Sequence, residues 1–243
     1  MTRWKKAQAW RWMWGRISVR HQWGRHKRKY RYMDFYFHDK KDIPAKIETI
    51  EYDPFRTAYI SLVCYADWER RYVIAHKDMK VWDTILTAEN PRIVPGNRAK
   101  ISNIPVWTEI YNIEAMIKEG AKYARSAWSY GTVVSHEWKY TQVKFPSGEV
   151  RYINKECYST IWIVSNVDHS LIVIGKAGRQ RWKWIRPTVL GKSMNPCDHP
   201  HGWGEWHQPI GMKYPKTPWW RPALGVKTRR RKSTNKWIAK RRK

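Results

Sequence analysis

Residues 45–76 read AKIETIEYDPFRTAYISLVCYADWERRYVIAH. Ala45–Tyr52, Ala58–Tyr65 and Arg71–His76 are short runs of alternating or β-branched residues, the pattern of strands packed into a sheet. Asp53-Pro54 and Ala66-Asp67 interrupt the runs where turns belong. With Tyr30–Phe37 ahead of them, short strands at this spacing predict a small antiparallel barrel over 30–94. Pro91, Pro95-Gly96 and Pro105 then mark a boundary.

A second β-rich stretch runs from Trp107 to Ile174, with strands expected near Gly131–Ser135, Tyr140–Phe145, Val150–Ile153, Ser159–Val164 and Leu171–Ile174. Pro146-Ser147-Gly148 has the composition of a hairpin turn. Ala, Met, Lys and Glu cluster between Ile110 and Ala127, which predicts one short helix there. Beyond Gly175, repeated Gly and Pro with basic residues between them predict an extended segment and no third domain. The fold class is therefore all-β. A second barrel with its linker occupies 95–190, and arms at 1–29 and 191–243 flank the two barrels. Two small barrels with basic arms suit RNA, because arms thread between helices that a globule cannot enter.

Charge sharpens that division. The chain holds 48 Lys and Arg against 20 Asp and Glu, a formal charge of +28, and repulsion on that scale calls for a polyanionic partner. No acid precedes Asp34 and none follows Glu205, so a mixed-charge body lies between two cationic arms. Dense like charge with few aliphatics orders only against an anion, and two such arms around a folded body point to nucleic acid. Three well-separated cysteines, Cys64, Cys157 and Cys197, are no disulfide framework and imply a reducing compartment. Apolar runs are strand-length, which predicts no membrane span, and nothing near Met1 resembles the apolar core of a secretory signal.

The segment Met194-Asn195-Pro196-Cys197-Asp198-His199-Pro200-His201-Gly202, followed by Gly204-Glu205 and Thr217-Pro218-Trp219, is similar to the signature of the ribosomal protein L-two family in its bacterial form. Earlier segments agree in order: Gly15-Arg16-Ile17-Ser18-Val19-Arg20-His21-Gln22 leading to His26-Lys27-Arg28, Glu51-Tyr52-Asp53-Pro54, Asn103-Ile104-Pro105-Val106, Gly175-Lys176-Ala177-Gly178 and Ile185-Arg186-Pro187-Thr188-Val189. The resemblance implies an oligonucleotide-binding-type barrel followed by an SH3-like barrel, both arms embedded in large-subunit RNA, and His199 near the peptidyl-transferase centre. Little of the family's usual N-terminal extension precedes the Gly15 motif. The function implied is a structural constituent of the large ribosomal subunit that binds ribosomal RNA, supports assembly and meets neighbouring ribosomal proteins. No cofactor, membrane or small-molecule substrate is expected. The expected location is a cytoplasmic ribosome of bacterial type, with the mitochondrial ribosome as the alternative. A nucleic-acid-binding architectural protein outside the ribosome is the competing function.

Candidate RNA contacts in the first arm are Arg16, Arg20, His21, His26, Lys27 and Arg28. In the second they are Arg179, Arg181, Lys183, Arg186, Asn195, Asp198, His199 and His201, with Arg229, Arg230 and Arg231 adding phosphate contacts. Asn195, Asp198, His199 and His201 carry donors and acceptors on a proline-stiffened loop, which suits a fixed hydrogen-bonding face. Trp182 among Arg179, Arg181 and Lys183 either stacks on an unpaired base or packs into a core. Cys197, His199, His201 and His207 invite a zinc reading, but alternate residues of an extended loop face opposite ways and no Cys-x-x-Cys element stands elsewhere. Cys197-Asp198-His199 as nucleophile and base is weaker still, since sequence neighbours seldom form a working dyad. No catalytic residue and no metal ligand is assigned, and the chain is not expected to be an enzyme.

Tryptophan is anomalous. Eighteen are present, and Trp23, Trp68, Trp82, Trp107, Trp128, Trp162, Trp184, Trp203, Trp206 and Trp220 stand where the family pattern has glycine. Only Trp182 and Trp219 clearly fall on family tryptophans. Glycine serves where φ is positive or chains approach closely, so the largest side chain cannot replace it without strain or clash. The one-way replacement is expected of a gene whose UGA codons are read as glycine, one base from GGA, and this favours a bacterial cytoplasm. An organellar gene with UGA truly encoding tryptophan is the alternative. Genuine tryptophans would serve as stacking anchors, with Trp203 and Trp206 exposed.

Overall fold

The computed structural model describes residues 1–5, 14–15, 17–22, 27–204 and 209–242. The chain forms two compact units: Met1–Lys5 with Lys27–Val173 and Ser233–Lys243, and Lys6–His26 with Ile174–Lys232.

In the first unit, β1 (Thr2–Lys5) pairs antiparallel with β2 (Arg28–Arg31). The decisive stretch then supplies β3 (Ala45–Glu51), β4 (Ile60–Tyr65) and β5 (Arg70–Ile74), and β6 (Thr84–Ile85) completes a sheet of order β5-β4-β3-β6. Alternation works as the sequence predicts. Ala45 and Ile47 of β3 point inward with Val63 and Tyr65 of β4, and close over Phe37, Val73, Ala75 and Met79. A bulge between Ile47 and Thr49 bends β3, which helps a small sheet curl.

The second sheet is built from β7 (Arg98–Lys100), β8 (Glu109–Tyr111), β11 (Gly131–His136), β12 (Tyr140–Lys144), β13 (Val150–Asn154), β14 (Tyr158–Ile161) and β15 (Ile238–Lys240), in the order β15-β13-β12-β11-β8-β14-β7. Its core gathers Ala99, Ile101, Ile104, Ile110, Ile113, Val133, Val143, Ile153, Cys157 and Ile161. The protein is all-β, an oligonucleotide-binding-type barrel followed by an SH3-like barrel. The single α-helix among the described residues is α1 (Ala177–Trp182).

Three local expectations fail for physical reasons. No helix forms over Ile110–Ala127. The segment holds β8, β9 (Ile113–Glu114) and β10 (Ala121–Tyr123), with Asn112, Lys118, Gly120 and Ala124 at positive φ. Burial of Ile110 and Ile113 in the sheet core outweighs the helix propensity of the Ala115–Glu119 stretch, which becomes a loop. Leu171–Ile174 is not a strand, since Val167–Leu171 is a 3-10 turn and Leu171, Ile172 and Val173 all lie exposed. Tyr30–Phe37 is strand only to Arg31. Asp34 then accepts hydrogen bonds from the Tyr36 and Phe37 amides through Oδ1 and turns the chain.

A buried charge pair links β7 of the second sheet to β9, which pairs with β10 in a separate two-stranded sheet. Arg98 donates to Glu114 at 2.9 Å and to the Asn112 carbonyl at 2.8 Å, and the second Glu114 oxygen accepts the Tyr158 amide at 3.1 Å. Both side chains are out of solvent, so removing Glu114 strands the Arg98 charge, at about 3–5 kcal/mol.

Candidate nucleic-acid interface

The second unit carries most of the predicted contacts. α1 follows Gly175 and buries none of its residues, so Arg179, Arg181 and Trp182 are displayed on its surface. Trp182 is 58% exposed with Lys176 Nζ 5.6 Å from its ring centroid, which places an open aromatic face beside cations and excludes core packing as its role. Immediately after α1 the two arms are stitched together. The Arg186 amide donates to the His21 carbonyl at 3.1 Å, Gln22 bridges antiparallel to Ile185, and His21 Nδ1 lies 3.4 Å from the Pro187 carbonyl oxygen. Segments separated by more than 160 positions thus form one surface, which no local sequence pattern announces.

The motif loop is tied from within. Asn195 accepts the amides of Asp198 (2.9 Å) and His199 (3.1 Å) on its backbone oxygen, and Met194 accepts the Trp203 amide at 3.3 Å. The His201 amide donates to His199 Nδ1 at 3.0 Å, and the Lys216 amide donates to His201 Nε2 at 2.9 Å. Backbone N–H groups only donate, so both ring nitrogens must be unprotonated acceptors, and each imidazole is fixed in its neutral form with the proton on the other nitrogen. The rings meet edge-on at 4.7 Å. Burial, then the neighbouring His201 and Arg20, push the His199 pKa below its ordinary value, in keeping with that neutral form.

Two glycines make this packing possible. A Cβ on Gly191 would stand 2.7 Å from the His199 ring, and one on Gly202 would stand 2.5 Å from the Asn195 carbonyl carbon. His199, only 8% exposed, is therefore an internal strut, while Asn195 and Asp198 face outward beside it. Gly191 and Lys216 as partners of the histidines were not found from sequence. Gly191 lies outside the quoted signature, and Lys216 contributes only its backbone.

The remaining candidates are dispersed. Arg20 lies 5.8 Å from the Trp219 ring centroid, and Arg229, Arg230 and Arg231 are exposed. Lys27 and Arg28 belong to the first unit, where Arg28 donates to the Pro54 carbonyl at 2.7 Å and Lys27 lies over Trp4. Arg16 and His26 lie outside the described residues, as do Trp23, Trp206 and His207. Among the described residues no three His, Cys, Asp or Glu side chains converge on a metal position, and no helix is long and apolar enough to cross a membrane.

Small barrels in one unit, with displayed cations, an open indole and a rigid polar loop in the other, define a nucleic-acid-binding protein that works by surface contact. The match to known families is then specific. Residues 1–87 match the model described as Ribosomal Proteins L2, RNA binding N-terminal domain, and residues 94–220 match Ribosomal Proteins L2, C-terminal domain. The chain belongs to the ribosomal protein L2 family: a structural, RNA-binding constituent of the large ribosomal subunit, and not an enzyme.

Proposed function

We propose that the chain braces large-subunit RNA beside the peptidyl-transferase centre and supports assembly there, working in a bacterial cytoplasm. The observation that carries this reading is the motif loop, in which buried His199 and half-buried His201 hold Asn195 and Asp198 outward on a fixed backbone. Such a face hydrogen-bonds sugar and phosphate with little ordering cost. His199 is a positioning residue in this scheme, because its ring nitrogen is already engaged by the His201 amide. Arg20, Arg179, Arg181, Lys183 and Arg186 on the joined arms supply charge, and His21 adds a hydrogen-bonding ring. Lys27 and Arg28, Arg16 and His26, and Arg229, Arg230 and Arg231 add phosphate contacts. With domain limits of 1–29, 30–94, 95–190 and 191–243, most of these contacts fall in the two arms, and Arg179, Arg181, Lys183 and Arg186 fall at the end of the 95–190 segment.

Cys197 offers a direct test, being exposed within the loop while Cys157 is buried. A hydroxyl-radical probe tethered to Cys197 in a Cys64→Ser chain, reconstituted into large subunits, is expected to cut RNA around the peptidyl-transferase centre. Cleavage confined to other regions would overturn the placement.

A further inference from the structure

The tryptophans are unexplained by RNA binding, and their backbone angles separate them into two groups. Fifteen non-glycine residues among those described have positive φ. Eight are tryptophan: Trp68 (63°), Trp82 (78°), Trp107 (68°), Trp128 (53°), Trp162 (103°), Trp184 (69°), Trp203 (67°) and Trp220 (61°). No other residue type supplies more than two. These eight are the described members of the set at family-glycine positions. Trp4, Trp14, Trp138, Trp182, Trp219 and Trp237 have no positive φ. Left-handed backbone is a true outlier for a bulky side chain, so a coincidence this complete needs a cause.

The chain provides its own control. In the hairpin Phe145–Glu149, Phe145 donates to Glu149 and Gly148 donates back to Phe145, each at 2.9 Å, with Gly148 at φ 80°. Tyr65–Glu69 repeats that ladder, Tyr65 to Glu69 at 3.0 Å and Trp68 to Tyr65 at 2.9 Å. Thr217–Arg221 repeats it again, Thr217 to Arg221 at 2.7 Å and Trp220 to Thr217 at 3.0 Å. This is a turn closing on a bulge whose left-handed residue is ordinarily glycine. One position thus holds glycine once and tryptophan twice.

Other turns agree. Thr108 donates to Pro105, and Ser129 to Ser126, each around a third residue of positive φ, the glycine place of a type II turn. At the end of α1, Ile185 donates to Gln180 at 3.2 Å and Trp184 to Arg181 at 3.1 Å, the paired bonds of a Schellman ending with Trp184 in the glycine place. Six of the eight indoles find no core, those of Trp68, Trp82, Trp107, Trp128, Trp203 and Trp220 standing exposed, Trp203 at 90%, while Trp162 packs half-buried against Ala58, Ile74, Tyr111 and Val164 and donates Nε1 to Asp78 at 2.8 Å.

We infer that the chain made in its source cell carries glycine at these eight positions, through UGA codons read by a transfer RNA of anticodon UCA charged with glycine. The surface at these turns is then bare backbone open to close approach by RNA, and the six exposed indoles are not stacking anchors. Trp182, at ordinary φ, keeps that role.

The test is mass spectrometry of tryptic peptides Thr57–Arg70 and Ile101–Lys118, from whole source cells and from salt-washed large subunits, against isotope-labelled glycine and tryptophan standards. Glycine forms are expected, and tryptophan forms in the cell digest would overturn the inference. Absence from the subunit fraction alone would instead count against the ribosomal reading. As a second measure on recombinant full-length chain, Trp68→Gly is expected to raise Tm by about 2–8 °C, and Trp138→Gly to bring no gain. A Trp68→Gly chain no more stable than its parent would also count against it.

Discussion

At the residue scale, His199 shows how a polar group serves an interface without touching it. Its Nδ1 accepts the His201 amide, so the loop needs the neutral ring. The folded pKa lies below the ordinary value of 6.5, which means the folded loop binds fewer protons than the unfolded chain. Its contribution to stability is whole above about pH 6.5 and is lost as the pH falls from there through the folded pKa. Thermal melts of the full chain should therefore drop between about pH 7.5 and pH 5.5, and the drop should shrink in His199→Gln, which cannot titrate. An equal drop in both chains would assign the effect to other groups, such as buried His76, whose pKa burial also lowers. The histidines themselves were legible in the sequence because they sit in a dense motif. Their inward orientation was not, because it depends on space left by Gly191 and on the backbone of Lys216, remote in the chain.

At the scale of elements, legibility followed the strength of the local pattern. The short β-branched and aromatic runs of residues 45–76 fold as strands, with inward residues alternating in the first part of β3 and consecutive residues buried in β5, and Pro146-Ser147-Gly148 turns where its composition says. Ile110–Ala127 misleads because helix formers in its middle hide two isoleucines that the sheet core claims. β15 was equally hidden, since Ile238–Lys240 is only three residues long and lies inside a basic tail. It pairs Lys240 with Val150 and Ile238 with Arg151, and Trp237 stands edge-on to Tyr140 at 5.7 Å. An aromatic pair and a few ladder bonds together contribute about 1–3 kcal/mol. Deleting 233–243 should lower stability by that amount and speed hydrogen exchange at Val150 and Arg151. Unchanged exchange there would mean that β13 does not depend on its outer neighbour.

For the whole molecule, the +28 charge and its segregation set how binding responds to salt. Each phosphate neutralised by Lys or Arg releases condensed counterions, so log K falls linearly with log salt, by nearly one unit of slope per contact on duplexes and somewhat less on single strands. The acids lie mainly in the body, where Lys40 pairs with Asp67 and Glu69 while Arg71 pairs with Asp34, Asp39 and Glu69. Cations already neutralised inside the protein release few counterions on binding, so the slope should come from the arms. Arg229, Arg230 and Arg231 lie exposed in a segment without acids. Replacing all three with Ala should reduce the slope for large-subunit RNA by about 2–3 and weaken binding evenly across RNA sequences. The contrast is an Arg71→Ala chain, which loses a cation held by three carboxylates and should keep the parent slope while losing stability. If the Arg71 change flattened the slope and the triple change did not, the RNA would lie against the barrel face, and the basic tail would take no part in holding it.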